Sequence, residues 1–291
     1  MKRTSATRSL FVFVALFTVV SITGCATGQT RHATSTVDFL YPNTKDPIVT
    51  PAVPVLTLPM RVGIAFVPGD GGGNYGRGLM TVRGQSFILT EKKKTDLMQE
   101  VAKHFKKYPY VKDIEIIPSA YLTPRGSFTN LDQIRTMYGV DVIVLLSYDQ
   151  VQFTDEGMLS LTYWTIVGAY VVPGEKNDTH TMLDAVVYDI KSRKMLFRAP
   201  GTNHIKGKAT LVNLSEELRA NSEAGFNGAA KEMITNLDQQ LASFKEKVKE
   251  RPAEYKVVHS PGYSGGGSFD LITLAMLVGL GGYFLWMRRR A

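Results

Sequence analysis

The residues with chemistry to offer are a glycine cluster, a G-x-S-x-G run, five histidines, one cysteine and a few carboxylates. Gly71-Gly72-Gly73-Asn74-Tyr75-Gly76 satisfies G-x-G-x-x-G and follows an expected strand. A phosphate cradle of that type needs a helix opening on the glycines and an acid at the end of the second strand. Here the next helical pattern starts more than ten residues later, the second strand ends at Pro118-Ser119, and no Lys-Ser/Thr follows. A surface loop is the better reading. Gly262-Tyr263-Ser264-Gly265-Gly266 satisfies G-x-S-x-G, but a nucleophile elbow sits between a core strand and a helix and has a histidine after it. This run lies in a linker with no histidine beyond it. His32, His104, His180, His204 and His259 include no pair at helical spacing, so no metal constellation is expected. Asp155, Glu156, Asp184 and Asp189 lie in or beside strand runs, and nothing in their spacing pairs them as acid and base. No catalytic set, cofactor or metal site is therefore expected.

Cys25 is the only cysteine, which removes disulfides and thiolate metal sites from the fold. Its surroundings are informative. Lys2, Arg3 and Arg8 precede an apolar run from Leu10 to Ile22, and small residues lead to the cysteine, the plan of a secretory signal. The run falls short of the roughly 20 residues of a spanning helix. Ile22-Thr23-Gly24-Cys25 resembles the bacterial lipobox. The resemblance implies cleavage before Cys25 and diacylglyceryl transfer to its thiol by the lipoprotein maturation enzymes, leaving the chain anchored in membrane lipid. An ordinary signal peptide with a chance cysteine is the alternative. Ala26, where Gram-negative sorting would place Asp for inner-membrane retention, implies the outer membrane or cell surface.

At the other end Gly265-Gly266-Gly267 leads into an apolar stretch from Phe269 to Met287, broken early by Asp270 and closed by Arg288-Arg289-Arg290. That length and the arginine cluster read as a transmembrane helix with its C-terminus in the cytoplasm. The combination resembles the GlyGly-CTERM sorting signal, whose tail is cut by a rhombosortase, an intramembrane serine protease. Such a protease must unwind its substrate, and glycine weakens a helix by about 1 kcal/mol per residue relative to alanine. Gly279, Gly281 and Gly282 add to the triplet. A lipobox and this tail together look like the rhombotarget lipoprotein family. That name describes processing and implies no biochemical activity. The resemblance implies a transient inner-membrane precursor, cut near Gly265, Gly266 and Gly267; a retained tail and a doubly anchored protein form the alternative.

The net charge of +8 is largely a property of these signals. Six of the 34 Lys and Arg and one of the 26 acids lie in them, which leaves 28 against 25, or +3, for the body. Nucleic-acid binding calls for a clustered basic face, so no nucleic-acid partner is expected.

The elements that must carry any site lie between the signals. Residues 1–24 form the signal peptide and 25–58, with Pro42, Pro47, Pro51, Pro54 and Thr-rich stretches, an extended tether in which Phe39-Leu40-Tyr41 docks on the domain. Residues 59–250 form the α/β domain, 251–264 a linker and 265–291 the sorting tail. Within the domain Met60–Pro68 is an expected strand, Leu89–Phe105 an amphipathic helix, Val111–Ile117 a strand and Leu131–Tyr138 a short helix capped at Thr129 or Asn130. Asp141–Val151 contains a continuous apolar run suited to a buried central strand. Leu159–Val172, Thr181–Ile190 and Lys194–Pro200 then read as an antiparallel meander, and Leu218–Val248 as a long amphipathic helix that Gly225 and Gly228 interrupt. The expected fold is α/β, α+β in character in its second half, with one mixed sheet of about six strands.

Asp184-Ala185-Val186-Val187-Tyr188-Asp189-Ile190, a turn, and Lys194-Met195-Leu196-Phe197-Arg198 are similar to a strand pair in periplasmic lipoproteins of the curli-secretion and penicillin-binding-protein-activator type. Those proteins use an α/β domain for assembly and protein contacts. The resemblance implies a non-catalytic binding or scaffolding role toward another envelope protein, with Tyr163, Trp164 and Tyr170 able to line a partner groove or pack in the sheet. A periplasmic or surface hydrolase with a site dispersed along the chain is the alternative.

Overall fold

A computed structural model of the protein describes residues 27–42, 51–69, 89–156, 175–209 and 213–263. Its spine is β5, Val142–Glu156. Val142-Ile143-Val144-Leu145-Leu146 is buried throughout, as a strand covered on both faces requires. Along this half β5 pairs in parallel with β3, Met60–Phe66, which pairs in parallel with β4, Val111–Ile117. Further on, the same edge of β5 pairs antiparallel with β1, Thr27–Ala33, across Asp149–Asp155. The opposite edge is zipped over its full length to β6, Glu175–Asp189, which turns into β7, Lys194–Ala209. The result is one six-stranded mixed sheet. A separate two-stranded parallel sheet joins β2, Val55–Leu58, to β8, Lys256–His259.

Parallel neighbours need long crossovers, and these bring the helices. α2, Glu91–Lys106, links β3 to β4; α3, Ser127–Tyr138, links β4 to β5. α2 buries Leu97, Met98, Val101 and Phe105 on one sheet face together with α4, Leu214–Glu250. On the other face, Phe128, Leu131 and Ile134 of α3 pack with Phe39 and Leu40 of a short helix α1, Thr36–Leu40. The mixed sheet and long C-terminal helix agree with the sequence pattern; the strands that make up the six differ from those expected. β1 and α1 come from the segment read as a tether, because Thr27–Ala33 finds an unpaired stretch of β5 edge and Phe39 a core to fill. Leu159–Val172, with Tyr163, Trp164 and Tyr170, lies outside the described residues, as do Gly71–Gly76, the signal around Cys25 and the tail from Gly265. Among the described residues no helix is long and apolar enough to cross a membrane.

α4 runs unbroken through Gly225 and Gly228. These glycines are there for proximity. A Cβ on Gly225 would stand 2.5 Å from Thr181 Oγ1, and one on Gly228 would strike Asn203. Gly201 of β7 repeats the arrangement from the sheet side, where a Cβ would meet the carbonyl of Ala229 and the amide of Met233. At this short range the interface becomes polar. Gln150 Nε2 donates to Thr181 Oγ1 (2.7 Å) and to the carbonyl of Ser222 (3.1 Å); Gln152 Nε2 donates to Thr179 Oγ1 (3.2 Å) and to the carbonyl of Leu218 (2.9 Å). The two glutamines are buried, so each hydrogen bond prevents the cost of a buried unpaired amide.

α3 starts at Ser127, earlier than the expected Leu131, because Asn130 serves a different purpose from capping. Its Oδ1 accepts from the amide of Thr123 and its Nδ2 donates to the carbonyl of Tyr121, which stitches the preceding loop to the helix. At the far end of α2, Asp238 of α4 accepts from Tyr108 Oη at 2.5 Å and lies 2.6 Å from His104 Nε2, with Lys107 at 3.6 Å. Partial burial works to raise the Asp238 carboxyl, but these partners outweigh it and hold the group below the usual carboxylate range. The same contact, with desolvation the larger cause, pushes the Tyr108 phenol up to about 12.

Two outcomes follow from this packing. Gly201→Ala should destabilise by about 1–3 kcal/mol or more through overpacking, while Gly69→Ala, whose Cβ meets nothing closer than 3.6 Å, should stay within about 0.5 kcal/mol; urea denaturation of both compares them. A carboxylate whose folded pKa is depressed stabilises the fold above its unfolded pKa, and that contribution vanishes as pH falls through the folded value. Asp238→Asn should therefore lower stability at neutral pH by less than about 1 kcal/mol, given its exposure. The difference should narrow as pH falls below the unfolded carboxylate range, as urea midpoints at pH 7 and near pH 3 would register.

Candidate functional site

The distal half of the sheet carries α4 on one face only. On the other, a groove of 720 Å³ opens between the strands and the segment Ala33–Phe39. Strand alternation puts Ser147 and Asp149 of β5, Met182, Asp184 and Val186 of β6 and Arg198 of β7 along its floor. Two arginine–carboxylate pairs cross this floor. Arg31 Nε and Nη2 of β1 donate to the two oxygens of Asp149 at 3.0 and 2.6 Å, and Arg198 Nε lies 2.8 Å from both oxygens of Asp184. Pairing with Asp149 raises the Arg31 pKa further, so that guanidinium stays charged. Arg125 stands on the rim with φ 58°, a left-handed conformation that costs a non-glycine residue about 1–2 kcal/mol. Deeper in, burial raises the Tyr188 phenol to about 12, helped by the neighbouring Tyr41 and Asp184.

Chemically the groove suits recognition. Both oxygens of each floor carboxylate already accept from an arginine, while the two guanidinium side chains remain about half exposed (57% for Arg31, 49% for Arg198) with N–H donors to spare. Planar, charge-assisted donors of this kind match carboxylate or phosphate oxygens.

A second depression, of 610 Å³, shares Asp149 and Met182 with the groove and is lined also by His180 and His204. The β6–β7 register sets His180 directly opposite His204, and their rings stack at 3.9 Å between centroids and 13° between planes. Asp178 Oδ1 lies 3.6 Å from His204 Nε2. Two of the five histidines scattered along the chain are therefore brought together in space beside Asp178. The reason is the β6–β7 hairpin with its bulge: the turn pairs Asp189 with Lys194, and a shift of one residue between Val187 and Tyr188 then brings His204 opposite His180.

Compared with known protein families, curated proteins and solved structures, the chain matches none.

The remaining sequence candidates have structural settings. His104 faces Asp238, His32 on β1 pairs with Gln150, and His259 on β8 stacks on Tyr263 at 5.9 Å. Asp189 Oδ2 accepts from the amide of Ser192 and closes the β6–β7 turn. Gly262 adopts φ 84°, a turn conformation that glycine reaches without steric penalty. Cys25, with Ile22, Thr23 and Gly24, and the triplet Gly265, Gly266 and Gly267 lie outside the described residues.

The two floor pairs differ in burial and should differ in energy. The Asp184 side chain is 11% exposed, so Arg198→Ala leaves a nearly buried carboxylate without its cation and should cost about 1–3 kcal/mol. Arg31→Ala, from the open pair, should cost less than about 1 kcal/mol. Thermal denaturation of the two variants side by side checks the order.

Proposed function

We propose that the protein is an exported lipoprotein, acylated at Cys25 and cut near Gly265-Gly266-Gly267 by a rhombosortase-type protease, whose domain binds another component of the cell envelope without a reaction of its own. The observation that carries the binding role is the arginine-floored groove, which offers fixed, charged donors beside the apolar side chains of Val186 and Phe39. The component it takes presents a carboxylate or phosphate to Arg31 and Arg198.

The placement of β1 supports attachment at its start. Cys25 stands two residues before Thr27, so chain length alone keeps its Cα within about 7 Å of the start of the strand. Thr27 pairs with Asp155 at the far end of β5. β8 pairs with β2, which leads directly into β3 at the end of the sheet where β5 starts. The chain therefore enters the described domain near one end of β5 and ends β8 near the other.

Intact mass and peptide mapping of the protein from its native membranes test the processing. The expected result is an acylated Cys25 at the N-terminus and a new C-terminus near Gly265. An acylated chain running intact to Ala291 would replace the protease with a permanent double anchor, and an unmodified Cys25 would remove the lipoprotein reading altogether.

A further inference from the structure

From the geometry of Asp178, His180 and His204 we propose a binding site for a late first-row divalent metal ion, zinc or copper(II), on the outer face of the β6–β7 hairpin. It is independent of membrane attachment, and its two histidines line the depression beside the groove.

Three properties make this a ligand set. First, the donor atoms of the three side chains all lie within 4.8 Å of one another. A tetrahedral ion bound at about 2.0–2.1 Å needs its donors roughly 3.3 Å apart with their lone pairs converging, so the two rings turn out of their stack about their side-chain torsions while the backbone stays still. Second, the backbone is held. His180 and His204 are cross-strand partners within a ladder that runs from Glu175 to Ala209, and Asp178 projects on the same face two residues earlier. Third, the stack has a solvent side. Both histidines are exposed and Asp178 is half-buried, so an ion can enter and water or a fourth ligand can complete its shell. Phe153 presents its edge to the His180 ring at 6.0 Å and braces it from β5.

Two imidazole nitrogens and one carboxylate select against calcium and magnesium, which take all-oxygen shells, and favour copper(II) over nickel and zinc in intrinsic affinity. The ion would bridge β6 and β7 near the open end of their hairpin, opposite the Lys191–Arg193 turn, so binding also clamps that end.

The test uses the full, untagged chain in detergent after chelator treatment. Calorimetric titration with zinc, copper(II), calcium and magnesium should give one site per chain for the first two and none for the others. Copper(II) electron paramagnetic resonance should show nitrogen coupling from two imidazoles. His180→Ala and His204→Ala should each weaken binding by at least the roughly 10–100-fold that loss of even an outer-shell partner costs a metal site. Asp178→Asn should weaken it less, and His32→Ala should leave it unchanged. Circular dichroism verifies that each variant is folded. Should His180→Ala disturb the hairpin, His180→Gln, which keeps a polar side chain of similar reach, carries the same expectation. No saturable zinc or copper binding at micromolar concentration, or binding that survives loss of both histidines, would overturn the site and leave the stacked pair as packing.

Discussion

Everything in this domain depends on satisfying the two backbone edges of β5. A strand of 15 residues presents a long row of amides and carbonyls, and each buried one left unpaired carries a desolvation cost. One edge is met by a single partner, β6, from end to end. The other is shared: β3 covers Val142–Leu146 and β1 covers Asp149–Asp155. This division makes one strand serve two architectures. Where β3 lies alongside, that edge of β5 is parallel and the sheet is layered between α2 and α3. Where β1 lies alongside, it is antiparallel, with α4 on one face and the arginine-floored groove on the other.

The change of architecture is accompanied by a change in what fills the interface. Around Val144 and Leu146 the contact is aliphatic, with Val101 and Leu237 in the same cluster. Beyond Tyr148, the residues facing α4 become Gln150, Gln152, Thr179 and Thr181, and hydrogen bonds to helix carbonyls replace apolar contact. Such bonds are directional, so they fix the rotation and height of α4 as apolar contact alone does not. Gly225, Gly228 and Gly201 are needed because at Thr181, Asn203 and Gly201 itself the helix and the sheet approach too closely for a Cβ between them.

This explains which parts of the fold were legible in the sequence. The apolar run at Val142–Leu146, the stripe through Phe226, Met233, Leu237, Leu241 and Phe244, and the α2 pattern are periodic signals, and each is buried as its period requires. The second half of β5 lacks such a signal, because its inward residues are polar and their partners lie elsewhere in the chain. Glycines in α4 resemble breakers when only local propensity is considered; their use appears only when the sheet is set against the helix. β1 was hidden by its polar composition and by proline-rich neighbours. The histidine pair was not legible, since the register beside the turn would set His180 opposite Asn203 and only the bulge between Val187 and Tyr188 brings His204 across. The floor of the groove needed more still: Arg31 and Asp149 come from segments far apart in the chain and meet only because β1 finds β5.

β7 ends the sheet among the described strands, and a long free edge is a template on which another chain can add a strand and aggregate. Its outer surface discourages this. Glu232 of α4 reaches over the edge and takes the amide and hydroxyl of Thr202, while Lys206 and Lys208 stand exposed on either side of Gly207. An incoming strand would have to displace the carboxylate and bury lysines to dock. The long C-terminal helix thus serves a second purpose beyond covering the core: it blocks the edge and keeps a sheet of this length from continuing into its neighbours.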